Sequence, residues 1–138
     1  MLLLVRHASA GDRELWESHD HERPLDERGL RQAHALVDQL ARFTVERVLT
    51  SPALRCVQTV EPLATARGLA LEVHDELAEH RHSHDGADIV RGLAGSPIVV
   101  CGHGGLHYVV PEATKWKKAA TLVLDDELRL VEVLKPPA

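Results

Sequence analysis

Residues Leu2-Leu3-Leu4-Val5 form an unbroken apolar run that gives way at once to Arg6-His7-Ala8-Ser9-Ala10-Gly11. A run with no polar alternation cannot turn one face to water. It predicts a strand buried on both faces, as in a parallel sheet covered by helices. The residues at its end are of another kind: a guanidinium, an imidazole, a hydroxyl and a glycine. Ligands of open α/β sheets bind just beyond the carboxyl ends of strands. Arginine's planar fork of donors matches phosphate oxygens, and a neutral imidazole offers a nucleophilic nitrogen. The junction is a candidate anion site.

The rest of the chain supplies partners for that strand. Pro24-Leu25-Asp26 opens a helix with Asp26 as its N-cap, and Leu30, Ala33, Val37 and Leu40 recur at helical spacing while Gln32 faces elsewhere. Residues 45–49 read as a strand. Thr50-Ser51-Pro52 starts a second helix with Ser51 as cap and Gly68 as stop, and Pro62 is expected to bend or interrupt it. Residues 69–73 read as a strand and 85–93 as a helix. Ile98-Val99-Val100 is a further apolar strand, and 121–124 with 128–133 form a hairpin around Asp125-Asp126-Glu127. Strands alternating with helices build βαβ units. The expectation is one domain over residues 1–138, a three-layer α/β/α sandwich with a mainly parallel central sheet. The polar segment 12–23 reads first as a solvated loop. Its exit from a strand end leaves a substrate-facing loop as the alternative.

Composition narrows the function. A net charge of −5 argues against nucleic acid or an acidic membrane as partner, but not against an anionic small substrate held by local arginines. The two cysteines, Cys56 and Cys101, lack metal-ligand spacing and are too few for a disulfide scaffold, which points to a reducing cytoplasmic setting. No stretch is long enough for a signal peptide or membrane span. Oligomeric state is open.

A second strand end repeats the first: Cys101-Gly102-His103-Gly104-Gly105. If the two strands are parallel neighbours, His7 and His103 reach one sheet edge together, and the glycines let backbone N–H groups approach an anion. The start of the second helix aims Arg55 at the same edge. Two arginines and two histidines make a cradle for a dianion, with Glu79 as a proton donor and nearby Glu76 as its competitor for that role. The alternating His80, His82 and His84 raise a metal site, but no paired carboxylate or cysteine spacing supports one. Lys115-Trp116-Lys117-Lys118 reads as a solvated face that is able to meet an acidic substrate.

Arg6-His7, the Ser-Pro-x-x-Arg stretch ending at Arg55, Glu79 and His103-Gly104-Gly105 together resemble the histidine phosphatase superfamily, that of the cofactor-dependent phosphoglycerate mutases. The short chain and the Arg23-Pro24-Leu25 stretch look most like its small SixA-type branch, associated with phosphohistidine phosphatase activity. The chain is also similar to the phosphatase-like domain that some Nudix hydrolases carry. The resemblance implies a phosphoglycerate mutase-like fold and a phosphohistidine intermediate on His7. Arg6, Arg55 and His103 would bind the phosphoryl oxygens, and Glu79 would protonate the leaving atom. Neither metal nor cofactor is implied. The substrate would be a phosphorylated protein or a small phosphorylated metabolite. Two departures stand out: Ala8 replaces a glycine common in relatives, and the chain has no asparagine where mutases place a phosphate ligand. Ser9 and Gly104 are the candidate substitutes as phosphate donors. With little chain left for a covering insertion, the pocket is expected to be shallow and open, which disfavours a mutase. A phosphate-binding module without turnover is the non-enzymatic alternative.

Overall fold

The computed structural model describes residues 1–79, 83–110 and 115–137. Its centre is a six-stranded sheet in the order β3-β2-β4-β1-β5-β6. Strands β1 (Leu2–Arg6), β2 (Arg47–Thr50), β3 (Leu71–Val73) and β4 (Ile98–Gly102) are parallel. Strand β5 (Thr121–Leu124) pairs antiparallel with β1 and leads through a turn to β6 (Leu130–Leu134) at the edge. The mainly parallel sheet and its closing hairpin agree with the sequence reading.

The opening apolar run is buried on both faces. Leu2 and Leu4 join Val100 and Leu122 in one core, with Ala87 and Val90 of α3 (Ser83–Gly92) packed over them. Leu3 and Val5 join Val48, Val99 and Cys101 in the other, under α1 (Glu27–Gln39) and α2 (Leu54–Arg67). All four are at most 1% exposed. Burial of each side chain contributes about 1.5–3 kcal/mol. Three layers result.

Helix α1 begins as expected: the Asp26 carboxylate accepts the Gly29 N–H at 2.8 Å. Its buried face agrees with the predicted one at Ala33 and Leu40 and departs from it elsewhere. Gly29, Gln32, Ala33 and Leu36 point inward, while Leu30 is exposed. The cause is the loop after β1, which lies against the first turn of α1. A Cβ on Gly29 would sit 1.9 Å from the Ser9 carbonyl oxygen, so only glycine fits. Gln32 is buried because its side-chain oxygen accepts the Ser9 N–H at 3.0 Å.

Helix α2 also departs from expectation at its start. It begins at Leu54 with Ala53 as N-cap and no side-chain cap, so Ser51 is not its cap. Gly68, at φ 68°, ends it as expected, and Pro62 does not interrupt it. Trp116 is buried rather than solvated, its indole N–H donating to the Ala120 carbonyl at 2.9 Å. Among the described residues, no helix is long and apolar enough to cross a membrane.

Candidate active site

The register of the parallel strands decides which residues meet. Val5 pairs with Cys101, Arg6 with Gly102, and Thr50 with Cys101. Three strands therefore end at one level, and the next residues, His7, Ser51 and His103, emerge side by side. The His7 and His103 rings stand edge to face with centroids 5.6 Å apart.

The backbone around His7 is held on every side. His7 N–H donates to the Gly102 carbonyl at 3.1 Å, and the His7 carbonyl accepts the Ala119 N–H at 3.0 Å. Ala8 N–H donates to the Thr59 hydroxyl at 2.9 Å, and that hydroxyl donates to the Arg55 carbonyl at 2.6 Å. Helix α2 thus fixes His7 and Arg55 relative to one another.

The His7 ring is 3% exposed, and its Nδ1 lies 2.9 Å from the Ala8 carbonyl. A carbonyl only accepts, so Nδ1 carries the hydrogen and Nε2 keeps its lone pair. Burial is the largest influence on its ionisation. The Ala8 hydrogen bond opposes it, while His103, Arg55 and Arg6 add to it. The pKa falls from 6.5 to about 3. His7 is a neutral imidazole with a free Nε2 at physiological pH, the form a nucleophile needs.

Around it are donors with nothing to bind. Among the described residues five buried side-chain polar atoms lack a hydrogen-bond partner, and three of them are Arg6 Nε, Arg55 Nε and His103 Nδ1. Buried polar groups are normally paired, so orphans gathered at one sheet edge mark a place for an acceptor. Arg55 is 1% exposed and comes from the first turn of α2. Arg6 Nη1 donates to the Trp116 carbonyl at 2.7 Å, and its guanidinium lies 3.3 Å from where a Gly104 Cβ would stand. Gly104 is thus what lets Arg6 lie flat over the β4 end. Ser9 is placed elsewhere: its hydroxyl donates to Asp26 at 2.8 Å, behind the start of α1.

Glu79 joins the group, and Glu76 does not. Glu79 Oε1 takes Arg13 at 2.5 Å and Arg55 at 3.3 Å, and its Oε2 is 3.6 Å from His103 Nδ1. Glu76 instead stands 3.8 Å from His74.

The loop 12–23 is more than a solvated surface. Asp20 takes Arg55 Nη2 at 3.0 Å through its carboxylate and Nη1 at 2.8 Å through its carbonyl, and Arg13 and Arg23 bind the same carboxylate. Burial raises the pKa of Asp20, but the Arg23 hydrogen bond and the charges of Arg55 and Arg13 outweigh it and hold the carboxyl below its usual range. Arg13, His19, Asp20 and His21 form one wall of a cavity of about 540 Å³, with Ser51, Arg55, Glu79 and His103 opposite. The pocket is therefore deeper than expected but still partly open, because this N-terminal loop supplies one of its walls. Arg6 and His7 are not part of its wall.

Sequence reasoning missed Arg13, Asp20 and the role of Ser51, whose hydroxyl lies 2.9 Å from His103 Nε2. Ser51 was legible in principle, since it and His103 follow adjacent parallel strands. Arg13 and Asp20 sat in a charge-rich stretch without a period. His80 and His82 lie outside the described residues, as does the side chain of His84. Among the described residues, no cluster of three or more His, Cys, Asp or Glu is arranged to hold a metal ion.

Comparison with known proteins places the chain in a family. Residues 2–87 match the family model of the histidine phosphatase superfamily, branch 1. An 8-oxo-(d)GTP phosphatase of Mycolicibacterium smegmatis is 36% identical over 99% of this chain and 48% of its own length. The chain thus spans about half of that curated relative. Among solved structures, the protein histidine phosphatase SixA complexed with tungstate is 24% identical, with a TM-score of 0.78 over 98% of this chain and 96% of its own. SixA from Agrobacterium tumefaciens is 25% identical, with a TM-score of 0.79 over 98% and 97%.

Proposed function

The chain belongs to the histidine phosphatase superfamily, and we propose that this phosphatase works through a phosphohistidine on His7. His7 Nε2 attacks phosphorus in line with the leaving oxygen. The N–P bond forms as the P–O bond breaks, and Glu79 gives the leaving oxygen a proton. Water then attacks phosphorus from the same side, losing a proton to Glu79 as the N–P bond breaks. Arg6, Arg55 and His103 hold the phosphoryl oxygens throughout, and one such preorganised donor is worth about 3 kcal/mol of barrier. Arg6 and Arg55 supply the positive charge and His103 a further hydrogen-bond donor, so the proposed steps call on no metal.

The observation that carries this reading is the pairing of a buried neutral imidazole with three unpartnered buried nitrogens from three different elements. A phosphate-binding module would need the donors but has no use for a nucleophile with a free Nε2. The test is hydrolysis of an aryl phosphate in EDTA, with trapping of the phosphoenzyme by acid quench. Turnover that survives EDTA and a labelled protein that disappears in His7→Ala support the mechanism. Phosphate binding without turnover of any phosphorylated compound favours the module.

For the substrate we infer a small phosphorylated molecule of nucleotide size. A cavity of about 540 Å³ beside the donors is in the range that holds ligands of that size. The 36% identical relative named for a nucleotide supports the same class. A phosphorylated histidine on a protein is the rival, supported by the SixA-like fold. A panel of nucleotides against a phosphohistidine protein decides between them through kcat/KM. The two buried free thiols, Cys56 and Cys101, fit a reducing compartment such as the cytoplasm.

A further inference from the structure

An imidazole serves a phosphoryl oxygen only through a nitrogen that carries hydrogen, and the two nitrogens of His103 meet different surroundings. Nε2 lies 2.9 Å from the Ser51 hydroxyl and 3.6 Å from Cys56 Sγ. Nδ1 is buried without a hydrogen-bond partner and lies 3.6 Å from Glu79 Oε2.

The Ser51 hydroxyl has two partners among the described residues. Its oxygen accepts the Ala53 N–H at 3.2 Å, and it faces His103. Among the described residues His103 Nε2 is the only acceptor in reach of the hydroxyl's own hydrogen, so that hydrogen is directed to it. An Nε2 that receives the Ser51 hydrogen is the unprotonated nitrogen. The opposite side of the ring is compatible with this: Nδ1 faces Glu79 Oε2 at 3.6 Å, where an Nδ1–H meets an acceptor whenever that carboxyl is ionised. Ser51 has no surface exposed to bulk solvent.

We propose that Ser51 is a positioning residue that locks neutral His103 as its Nδ1–H tautomer, turning the hydrogen toward the phosphoryl position between Glu79 and Arg55. Its effect on the reaction is exerted through His103. This rests on the reading of His103 as a phosphoryl donor.

Nitrogen-15 NMR of His103, recorded where the ring is neutral, reads the tautomer directly. Wild type is expected to show a protonated Nδ1 and a bare Nε2. In Ser51→Ala the preference weakens, and kcat for an aryl phosphate falls about 10- to 100-fold, the range seen when an outer residue that orients an imidazole is lost. Because the lost group acts in the transition state, kcat falls more than KM changes. Binding of tungstate alone weakens as well. Ser51→Thr keeps the hydroxyl and restores both tautomer and rate. A wild-type spectrum with hydrogen on Nε2 overturns the proposal, even if neither variant folds. So does a folded Ser51→Ala enzyme with unchanged tautomer and kcat. The expected tautomer in a protein that turns over nothing would sink the phosphatase reading instead. A labelled His7 with the opposite His103 tautomer would sink this one alone.

Discussion

Holding His7 neutral has a measurable consequence for folding. Its pKa is about 3 in the folded protein and 6.5 in the unfolded chain, with burial as the chief cause. Above pH 6.5 both states carry a neutral ring and the group contributes no pH dependence. Between pH 6.5 and about 3 only the unfolded chain takes up the proton, so acid favours unfolding. Stability then falls by about 1.4 kcal/mol per pH unit, or about 2 kcal/mol at pH 5 relative to pH 7. Other groups titrate in the same window, so the measurement is a difference. Urea unfolding of wild type and His7→Ala is compared from pH 8 to pH 4.5. The variant loses stability at every pH from the missing ring, but its curve lacks the His7 slope. The gap between the two should narrow by about 2 kcal/mol from pH 7 to pH 5. Parallel curves through that range would refute the buried neutral imidazole. The same shift fixes the acid limb of catalysis. An ordinary histidine loses roughly 25-fold of its neutral fraction from pH 7 to pH 5, whereas His7 stays neutral. An NMR midpoint near 6.5 for the His7 ring would contradict both expectations.

Replacing Arg6 by alanine should lower kcat/KM by about 100-fold or more, as loss of one preorganised donor does, with the fold intact by circular dichroism. Glu79→Gln should slow turnover of substrates with poor leaving groups by about 10²- to 10⁴-fold, while an activated aryl phosphate still gives a burst of phosphoenzyme. Asp20→Ala frees Arg55 from its carboxylate, so orthophosphate should bind up to about fivefold tighter by calorimetry, the measure of one partly exposed ion pair. Gly29→Ala should destabilise by at least about 1–3 kcal/mol in thermal unfolding, because its Cβ meets the Ser9 carbonyl at 1.9 Å.

What the sequence made legible follows from how rigidly each residue is placed. Arg6, His7 and His103 end apolar runs, and a strand buried on both faces leaves its register little freedom. Their meeting could be read from the order of the elements. Arg55 was legible because Pro52 and the apolar residues that follow mark the start of a helix. The face of α1 was not, since hydrophobic spacing nominated Leu30, while the Ser9 backbone packs on the bare Gly29 and buries Gln32. Ser51 was misread for a similar reason. The cap is a local pattern, but its hydroxyl answers to a histidine 52 residues away. Arg13 and Asp20 carry no periodic signal, because ion pairs across a loop depend on the folded site and not on their neighbours in the chain.

Those ion pairs bear on how substrate enters. His7 is almost closed to solvent, and Arg55, the deepest cation of the cradle, is already neutralised by Asp20 and Glu79. A phosphoryl group can meet Arg55 at its unpartnered Nε, and reaches Nη1 and Nη2 only by displacing Asp20. A dianion in the place of Asp20 keeps the charge of Arg55 compensated, while Glu79 stays beside it. Arg23 is 4% exposed and holds both Asp20 and the Gly11 carbonyl, so it keeps the base of the loop in place while Asp20 withdraws. Arg13 is bound only to Asp20 and Glu79 among the described residues and is more than half exposed, so it is free to follow the incoming charge. The loop that walls the cavity is thus tied to Arg55 through Asp20, and an anion at the terminal nitrogens of Arg55 competes with that tie.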